Sequence, residues 1–445
     1  MDYEEIVDYI LKLPKFTKKN GLEHTCTLLE RLGNPQEDFF VVHVAGSNGK
    51  GSVCAFIHSV FLEAGYSVGL FTSPHLVDIR ERFLIDGKYC SKGQFVKAWE
   101  LVQGTVEEML AEHYAHPTFF EVLFAMAMIM FSKANVAYAV LETGLGGRLD
   151  ATNTVKHPDM SVITSISLEH TEQLGDTVEK IAAEKAGIIK QGVPVVFDGA
   201  LQTVANVIRG YANSVQAPVI EVKPMDINIL LNDGKKIDFC FRTGYDITNG
   251  TTSSIESCFG TTRVQIPFGA EYQVQNAAVA LAAILYLQNK AGFSKEEIVK
   301  GFLHVKWDGR MQEVLPEVYF DGCHNTAGIK AFLKEAKRMV NQPAVLLFSM
   351  AMEKNYKESI QMICSLNLWK DIIVTAIPNV RGVKAQELER IFAEECGKTR
   401  RVHCIEEVAK AYETALELKQ AGQHLFCIGS LYLIGELKRI QDKRR

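Results

Sequence analysis

Short apolar runs alternate with longer stretches of helical periodicity along most of the chain. The first clear run, residues 39–45, is rich in β-branched side chains and leads into a glycine-rich segment at 46–52. Residues 53–64 then show the apolar spacing of a helix. The sequence therefore predicts a strand, a loop and a helix in this order.

The same alternation continues downstream. It predicts strands over 67–71, 136–141 and 160–166, and a buried helix over 119–131. Alternating strands and helices favour a parallel α/β sheet, whose ligands bind beyond the carboxyl ends of the strands. We therefore expect polar residues that follow these strands to form a site.

Between residues 221 and 268 the pattern changes to short alternating strands, with turn signals at 232–234 and 248–251. This favours a small antiparallel addition to the first domain. Further elements are predicted as helices over 274–289 and 295–302, then strands over 318–320, 344–348, 372–375 and 424–428. The renewed alternation indicates a second, smaller α/β domain, so we divide the chain into residues 1–304 and 305–445.

The composition does not indicate a function, but it argues against several classes of protein. The 445 residues carry a formal net charge of −5, which is too balanced to indicate a nucleic-acid partner. The longest apolar run, residues 122–131, is too short to span a bilayer, and the first residues lack the pattern of a secretory signal. Ten cysteines without a C-x-x-C pair are typical of free cytosolic thiols, so we expect a cytoplasmic protein without membrane association.

Residues 46–52 have the properties of a phosphate-binding loop. Glycines let backbone N–H groups face an anion, the following helix contributes partial positive charge, and Lys50 can reach terminal phosphates. The order departs from the common G-x-x-x-x-G-K-[ST] pattern, because Gly51 separates Lys50 from Ser52 and Val44 stands where the first glycine is usual. The flanking strand and helix still favour phosphate binding over an ordinary tight turn.

Polar residues after neighbouring strands are candidate cation ligands. Glu142 ends an apolar strand, His170 is expected to close the next one, and Ser73 follows the second strand. A carboxylate suits Mg²⁺, whereas a turn serine and a hydrogen-bonded structural histidine remain the alternatives for the other two. Lys185 has the pattern of a surface lysine, and its ammonium could not ligate a metal unless CO₂ converted it to a carbamate.

Several segments together resemble the folylpolyglutamate synthase/dihydrofolate synthase branch of the Mur ligase superfamily, across nearly the whole chain. The phosphate loop alone indicates only Mur-type ATP binding, whereas the segments at 70–76 and 144–153 point to the folate branch. The segments that carry the resemblance are 43–52, 70–76, 141–153, 163–174, 182–194, 307–310 and 321–325.

The resemblance implies a Mur ligase-like fold, with an ATP-binding first domain and a glutamate-binding second domain. It implies that ATP phosphorylates a carboxylate and that the amino group of L-glutamate then attacks the acyl phosphate. The acceptor would be a folate such as tetrahydrofolate, and dihydropteroate as a second possibility. The implied cofactors are ATP, one or two Mg²⁺ ions and a carbamylated Lys185, with K⁺ as a further option.

The resemblance also implies roles for individual residues. The residues that match ATP-binding positions are Gly49, Lys50, Gly51, Ser52, Asn276, Arg310 and Asp321. The residues that match metal-binding positions are Ser73, Glu142, His170 and, through a carbamate, Lys185. His324 and Ser430 would lie near the incoming glutamate, and Thr118 and Asp150 match pterin-side positions.

Some positions depart from the family pattern. Ser47 replaces a usual Thr, Glu169 a usual Asp and Tyr272 a usual His. Further departures are Cys323 for Ala, and Glu353 and Asn355 for two Asp residues. We expect Ser47 and Glu169 to be mild changes. We expect Tyr272, Glu353 and Asn355 to alter ATP affinity or domain closure rather than the reaction class.

Two other functions compete with folate ligation. One is a Mur ligase that acts on a cell-wall precursor, which shares the loop and metal residues. The other is a P-loop NTPase without ligase activity, which the Lys-Gly-Ser order and the second α/β domain disfavour. For the folate ligase we expect a monomer as the simpler assembly.

Overall fold

The structure is a computed structural model that describes residues 1–14, 21–242, 261–377, 382–397 and 400–443. Within these ranges the strands form three sheets of eight, three and six strands. The first and third sheets are mostly parallel and carry helices on both faces, whereas the second is antiparallel. The predicted fold, a mostly parallel domain with a small antiparallel addition and a second α/β domain, is confirmed.

The first sheet has the strand order β4-β3-β2-β5-β1-β6-β7-β8. Its strands are β1 (Phe40–Ala45), β2 (Val68–Phe71), β3 (Phe83–Ile85), β4 (Lys88–Tyr89), β5 (Tyr138–Glu142), β6 (Met160–Ile163), β7 (Val195–Asp198) and β8 (Val219–Val222). Only β3 and β4 pair antiparallel, at one edge. The central strand β1 pairs with β5 and β6, so the ends of these three strands open onto the same side.

Eight α-helices of the described ranges precede the antiparallel second sheet in the sequence and lie around this first sheet. They are α1 (Tyr3–Lys12), α2 (Leu22–Arg31), α3 (Lys50–Glu63), α4 (Lys92–Ala111), α5 (Phe119–Lys133), α6 (Thr171–Leu174), α7 (Val178–Ala186) and α8 (Gln202–Ser214). The helix α5 is apolar nearly all round because it lies between the sheet and the helices α1, α2 and α4. Helix α3 lies on the opposite face.

The antiparallel sheet comprises β9 (Ile227–Asn232), β10 (Ile237–Arg242) and β11 (Thr261–Ile266). The predicted turn at 232–234 connects β9 to β10, where the side chain of Asn232 accepts from the amide of Gly234. The other predicted turn, at 248–251, lies outside the described residues. Helices α9 (Tyr272–Ala291) and α10 (Lys295–His304) follow and pack against α3.

The third sheet has the order β12-β13-β17-β14-β15-β16, with only β12 antiparallel. Its strands are β12 (Gln312–Leu315), β13 (Val318–Asp321), β14 (Ala344–Phe348), β15 (Trp369–Val374), β16 (Arg401–Cys404) and β17 (Leu425–Ile428). Its helices are α11 (Thr326–Met339), α12 (Tyr356–Cys364), α13 (Ala385–Cys396), α14 (Val408–Leu418) and α15 (Leu431–Asp442).

Two local expectations are wrong. Helix α3 begins at Lys50 rather than at residue 53, because Gly49 takes the left-handed conformation that starts it, with φ of 86°. Strand β6 ends at Ile163, so His170 does not close a strand but precedes α6 in a loop. The chain leaves the sheet there because residues 164–167 turn back to bond the phosphate loop.

The expectation of free thiols is wrong for one pair. Cys364 and Cys396, at the ends of the neighbouring helices α12 and α13, form a disulfide with their Cα atoms 5.4 Å apart. Their separation of 32 residues gave no signal in the sequence, because only the packing of the two helices brings them together. No helix among the described residues is long and apolar enough to cross a membrane.

The first and third sheets are held together partly by α15. A Cβ atom added at Gly435 would lie 2.0 Å from the carbonyl oxygen of Leu76, so only glycine lets α15 approach the loop after β2 this closely. Arg439 of the same helix donates to the carbonyl oxygen of Val77 at 2.8 Å. This contact fixes how the two sheets face each other.

We expect Gly435→Ala to lower the free energy of unfolding by about 1–3 kcal/mol, because the added methyl group forces α15 away from Leu76. The matched control is Gly104→Ala in α4, where nothing lies within 4 Å of the added atom. That variant should gain about 0.5–1 kcal/mol from helix propensity. Urea titration measures both, and equal gains in the two variants would contradict the close approach.

Candidate active site

A cavity of about 850 Å³ lies where the carboxyl edges of the first and third sheets face each other. All of the site residues that the sequence predicted line it: Gly49, Lys50, Gly51, Ser52, Ser73, Thr118, Glu142, Asp150, His170, Lys185, Asn276, Arg310, Asp321, His324 and Ser430. Residues from both halves of the chain therefore meet in one place.

The phosphate loop connects β1 to α3 at the centre of the first sheet. Its glycines are required by close neighbours, since a Cβ at Gly46 would lie 1.8 Å from Thr164 Oγ1 and one at Gly49 would lie 2.1 Å from Asn276 Oδ1. Thr164 also donates to the carbonyl oxygen of Asn48 at 2.7 Å. The loop is thus held open by side chains from two other elements, with the N-terminus of α3 at its centre.

Lys50 and Ser52 have side chains that can bind an anion. Lys50 Nζ donates to the carbonyl oxygens of Gly46 and Ser47, at 3.0 and 3.3 Å, so it lies over the loop. Ser52 Oγ is buried and has no hydrogen-bond partner among the described residues. An unsatisfied buried hydroxyl is unfavourable by itself, so this atom fits a ligand or a hydrated cation.

Ser73 and Glu142 follow adjacent strands and touch each other. The amide of Ser73 donates to Glu142 Oε2 at 3.0 Å, which leaves Oε1 without a protein partner in the described ranges. Burial raises the pKa of Glu142, and the charge of Lys50 works in the opposite direction. A carboxylate held in this way would gain from a cation beside it.

The donor set of Ser73, Glu142 and His170 fits Mg²⁺. The part of the chain that is described holds no group of three or more His, Cys, Asp or Glu side chains arranged as a metal site. Mg²⁺ does not need one, because it keeps waters and phosphate oxygens in its shell and takes only one or two carboxylates. Burial lowers the pKa of His170 to about 4, so its imidazole is neutral and can act as a ligand.

Lys185 is buried, with 1% of its surface exposed, so its surface pattern in the sequence was misleading. It lies at the end of α7 and donates to the carbonyl oxygen of Gly46 at 2.8 Å and to Glu169 Oε1 at 2.9 Å. Burial lowers the pKa of Lys185 to about 8, despite the opposing charge of Glu169. Although burial alone would raise it, the pKa of Glu169 falls to about 2 because Lys185 and Lys50 are close.

Residues of α9 and β13 lie on the other side of the phosphate loop. Asn276 lies against Gly49 and receives support from Gln273, whose Oε1 accepts from Asn276 Nδ2 at 2.9 Å. Tyr272, one of the departures from the family pattern, donates its hydroxyl proton to Asp321 Oδ2 at 2.6 Å. This bond joins α9 to the third sheet, so the tyrosine connects the two halves of the site.

The third sheet contributes residues after β13 and β17. His324 Nδ1 contacts the carbonyl oxygen of Gly322 at 2.8 Å, and burial lowers the pKa of His324 to about 3. Ser430 begins α15 and accepts from the amide of Tyr432. Asn325 donates to Asn48 Oδ1 at 2.9 Å, which ties the third sheet directly to the phosphate loop.

Thr118 and Asp150 have structural contacts of their own. Thr118 is the N-cap of α5, where its hydroxyl accepts from the amide of Glu121. Asp150 is buried, and both of its oxygens accept hydrogen bonds, two from the amides of Gly144 and Leu145 and two from Thr152. Asp150 therefore shapes the loop after β5.

Sequence reasoning missed several cavity residues. Asn48 lies in the predicted phosphate loop and Asn325 in a segment that carries the family resemblance, but nothing local indicates that they bond each other, because only the facing of the two sheets pairs them. Arg82 and Lys354 are cations that reach the cavity from opposite halves of the chain. Arg82 ends an Ile-Arg-Glu-Arg segment that resembles an ordinary exposed turn. Lys354 lies between Glu353 and Asn355, which depart from the family pattern, but nothing in the sequence indicates that either cation reaches the cavity.

Two protein families match the chain. The Mur ligase middle domain matches residues 44–284, and the Mur ligase glutamate ligase domain matches residues 309–431. A dihydrofolate synthase/folylpolyglutamate synthase of Bacillus subtilis is 35% identical over 370 residues, which cover 81% of this chain and 82% of that protein. A dihydrofolate synthetase of Saccharomyces cerevisiae is 31% identical over 444 residues, or 95% of this chain and 98% of the yeast protein.

Solved structures with the same fold extend over the whole chain. FolC of E. coli, in a complex with DHPP and ADP, superposes with a TM-score of 0.81 at 28% identity and covers 100% of this chain and 99% of its own. Folylpolyglutamate synthase of Mycobacterium tuberculosis, complexed with ADP, has a TM-score of 0.85 at 26% identity and covers 98% of each chain.

We expect Asp150→Asn to lower the free energy of unfolding by about 1–3 kcal/mol, because an amide nitrogen would face backbone N–H groups that now have an acceptor. Urea titration of the protein without ligands measures this loss. An unchanged unfolding midpoint, together with weaker binding of a pterin, would instead assign Asp150 to substrate recognition alone.

Proposed function

The chain belongs to the Mur ligase family, in its folylpolyglutamate synthase and dihydrofolate synthase branch, and we propose how its cavity performs the reaction of that branch. The protein is an ATP-dependent ligase that joins L-glutamate to a folate, and dihydropteroate is a second acceptor. The single observation that carries the proposal is the cavity that puts the phosphate loop opposite His324 and Ser430. ATP, the acceptor carboxylate and glutamate can meet there.

Activation of the carboxylate is the first step. A carboxylate resists attack by an amine, and transfer of the γ-phosphoryl group gives it a good leaving group. We propose that Gly49, Lys50, Gly51 and Ser52 bind the phosphates, and that Asn276, Arg310 and Asp321 bind the rest of the nucleotide. The unpartnered hydroxyl of Ser52 and the position of Lys50 over the loop support this assignment.

We propose that Ser73, Glu142 and His170 hold Mg²⁺. The ion, when bound, neutralises charge that builds on the transferring phosphoryl group. Glu142 supplies a carboxylate oxygen without a protein partner among the described residues, and the neutral imidazole of His170 can donate a lone pair. The proximity of Ser73 to Glu142 supports a shared role.

We propose that Lys185 carries a carbamate. An uncharged amine attacks CO₂, a C–N bond forms, one proton leaves and the side chain becomes an anion. Burial favours the uncharged amine, since it lowers the pKa of Lys185 to about 8. The ion pair between Lys185 and Glu169 cannot persist after this change, so Glu169 must turn towards another cation, for which Lys50 and Lys354 are close enough to affect its charge.

Amide formation is the second step. The glutamate nitrogen attacks the acyl carbon, the C–N bond forms, phosphate leaves with the C–O electron pair and the nitrogen loses a proton. We propose that His324 and Ser430 lie beside the incoming glutamate and that Thr118 lies on the pterin side. The neutral state of His324 allows it to accept a hydrogen bond from the substrate ammonium or amine.

We also propose that residues 1–304 form the ATP-binding unit and residues 305–445 the glutamate-binding unit. The division falls between the end of α10 at His304 and the start of β12 at Gln312. We further propose a cytoplasmic monomer, the simpler assembly for a cavity that the described residues of one chain suffice to line.

The function is tested by release of ADP with ATP, Mg²⁺ and L-glutamate, with dihydropteroate or tetrahydrofolate as acceptor. We expect ADP release to require both the acceptor and glutamate, and the acceptor to gain the mass of one glutamate residue. ADP release that is independent of both would indicate an NTPase, and use of a cell-wall precursor instead of a folate would indicate the other Mur ligase class.

We expect Lys50→Ala to lower turnover by about 10²–10³-fold, since it removes charge where phosphate charge builds. Thermal unfolding should stay close to wild type, because the hydrogen bonds of the Lys50 side chain within the described ranges go to carbonyls of its own loop. The control is Lys300→Ala, an exposed lysine on α10. Full turnover with normal ATP affinity in Lys50→Ala would refute the loop assignment.

We expect Glu142→Ala and His170→Ala each to reduce turnover by more than about tenfold at limiting Mg²⁺, because each removes one ligand. A magnesium titration should show the activation midpoint moving to higher concentration. If neither variant changes the midpoint or the turnover, these residues are not ligands, and His170 is a structural histidine.

We expect Lys185→Ala to be nearly inactive and to recover part of its turnover with acetate or formate, which can occupy the vacated anionic position. Lys185→Arg should stay inactive, because a guanidinium offers no acceptor to a cation. Intact-protein mass spectrometry after trapping of the carbamate checks the modification directly. High activity of Lys185→Arg would contradict the proposal.

A further inference from the structure

Arg82 is a buried cation that faces the cavity and has no counterion among the described residues. It ends a short 3₁₀ helix, Ile79–Arg82, that follows the loop after β2, and only 6% of its surface is exposed. No carboxylate in the described part of the chain lies within ion-pair distance of its guanidinium, although the residue lines the cavity. A buried unpaired charge is costly, so its retention here calls for a ligand.

The guanidinium is held in place by two neighbours. Its Nε donates to His75 Nδ1 at 2.8 Å, and its carbon lies 5.3 Å from the centre of the Phe119 ring. These contacts fix the plane of the group and use one of its five N–H donors. The two terminal nitrogens have no hydrogen-bond partner in the described ranges, and they present a planar fork that matches a carboxylate.

The nearest acidic residues are already engaged. Glu81 accepts from three backbone amides, those of Leu76, Val77 and Asp78, and Glu142 accepts from the amide of Ser73. Both are close enough to influence the charge of Arg82, as is the Tyr432 hydroxyl. Tyr432 is in the first turn of α15, so Arg82, directly before β3, faces a helix of the second α/β domain.

The position of Arg82 indicates which of the substrates it binds. The phosphates of ATP have the phosphate loop, Lys50 and Arg310 to neutralise them in the proposed function. L-glutamate brings two carboxylates, and neither has a cation among the residues assigned to it, His324 and Ser430. Arg82 faces the start of α15, where Ser430 is the N-cap.

We propose that Arg82 binds a carboxylate of the incoming L-glutamate and thereby selects this amino acid. The inference rests on the proposed function, because it assigns a residue to the glutamate of that reaction. A bidentate pair with the guanidinium holds the carboxylate at the cavity wall beside Phe119. Glutamate then binds between Arg82, on the side of the first sheet, and the residues around Ser430, on the side of the third sheet.

The test compares Arg82→Gln and Arg82→Lys with wild type in steady-state kinetics. Gln keeps a hydrogen-bond donor for His75 but removes the charge, and Lys keeps the charge without the fork. The matched control is Arg80→Gln, two residues away, whose guanidinium binds Asp78 and lies over the Tyr3 ring outside the cavity. ADP affinity, measured by titration, checks that each variant is folded.

We expect Arg82→Gln to raise the KM for L-glutamate by about 30-fold or more with both acceptors, while KM for ATP stays unchanged. Arg82→Lys should give an intermediate KM, and Arg80→Gln should match wild type. L-glutamine and 4-aminobutyrate identify the carboxylate, since they lack the side-chain charge and the α-carboxylate respectively. Wild type should have a higher KM for the analogue that lacks the bound carboxylate than for glutamate. In Arg82→Gln the KM values of that analogue and of glutamate should become similar.

Other results would overturn the inference. A KM increase for tetrahydrofolate but not for dihydropteroate would place Arg82 on the glutamate already attached to folate. A fall in kcat with an unchanged KM for glutamate would place it on the acyl phosphate, and wild-type kinetics in Arg82→Gln would leave it without a role in binding. A wild-type protein that forms no glutamylated product would instead refute the proposed function, and this inference with it.

Discussion

The site depends on two separate sheets keeping their carboxyl edges face to face. Hydrogen bonds between Asn48 and Asn325 and between Tyr272 and Asp321 join the edges, and the contact of Gly435 with Leu76 sets their approach from the side. Each edge alone holds only half of the chemistry, because the phosphate loop lies on one and the glutamate-side residues on the other. A small change in this packing therefore affects ATP, folate and glutamate together.

Local chemistry made part of this structure predictable. The phosphate loop could be found because its glycines, its lysine and its flanking strand and helix are contiguous, and Glu142 because it ends an apolar strand. Lys185 could not be recognised as buried, since α7 carries charged residues on its other faces and only the contact with Gly46 identifies its role. Arg82 could not be recognised from the sequence either, because only the structure shows that it is buried and that no carboxylate of the described residues pairs with it.

Charge compensation links the cavity residues. Lys185 and Glu169 now neutralise each other beside the phosphate loop, and carbamylation would replace this pair with two anions near Lys50 and the metal ligands. Such a site favours cations and phosphate-bound metal, whereas Arg82, on the side of Glu142 that faces Tyr432, favours a carboxylate. The two charged co-substrates thereby have separate positions in one cavity, and the acceptor carboxylate would react between them.

The central claim is that one cavity activates a carboxylate as an acyl phosphate and then transfers it to glutamate. The most direct measurement uses dihydropteroate labelled with ¹⁸O in its carboxylate and follows the label by mass spectrometry of the released phosphate. An acyl phosphate leaves one carboxylate oxygen on phosphorus, so the account predicts that each phosphate released with an amide bond carries one ¹⁸O atom. Unlabelled phosphate released together with the glutamylated product would contradict it.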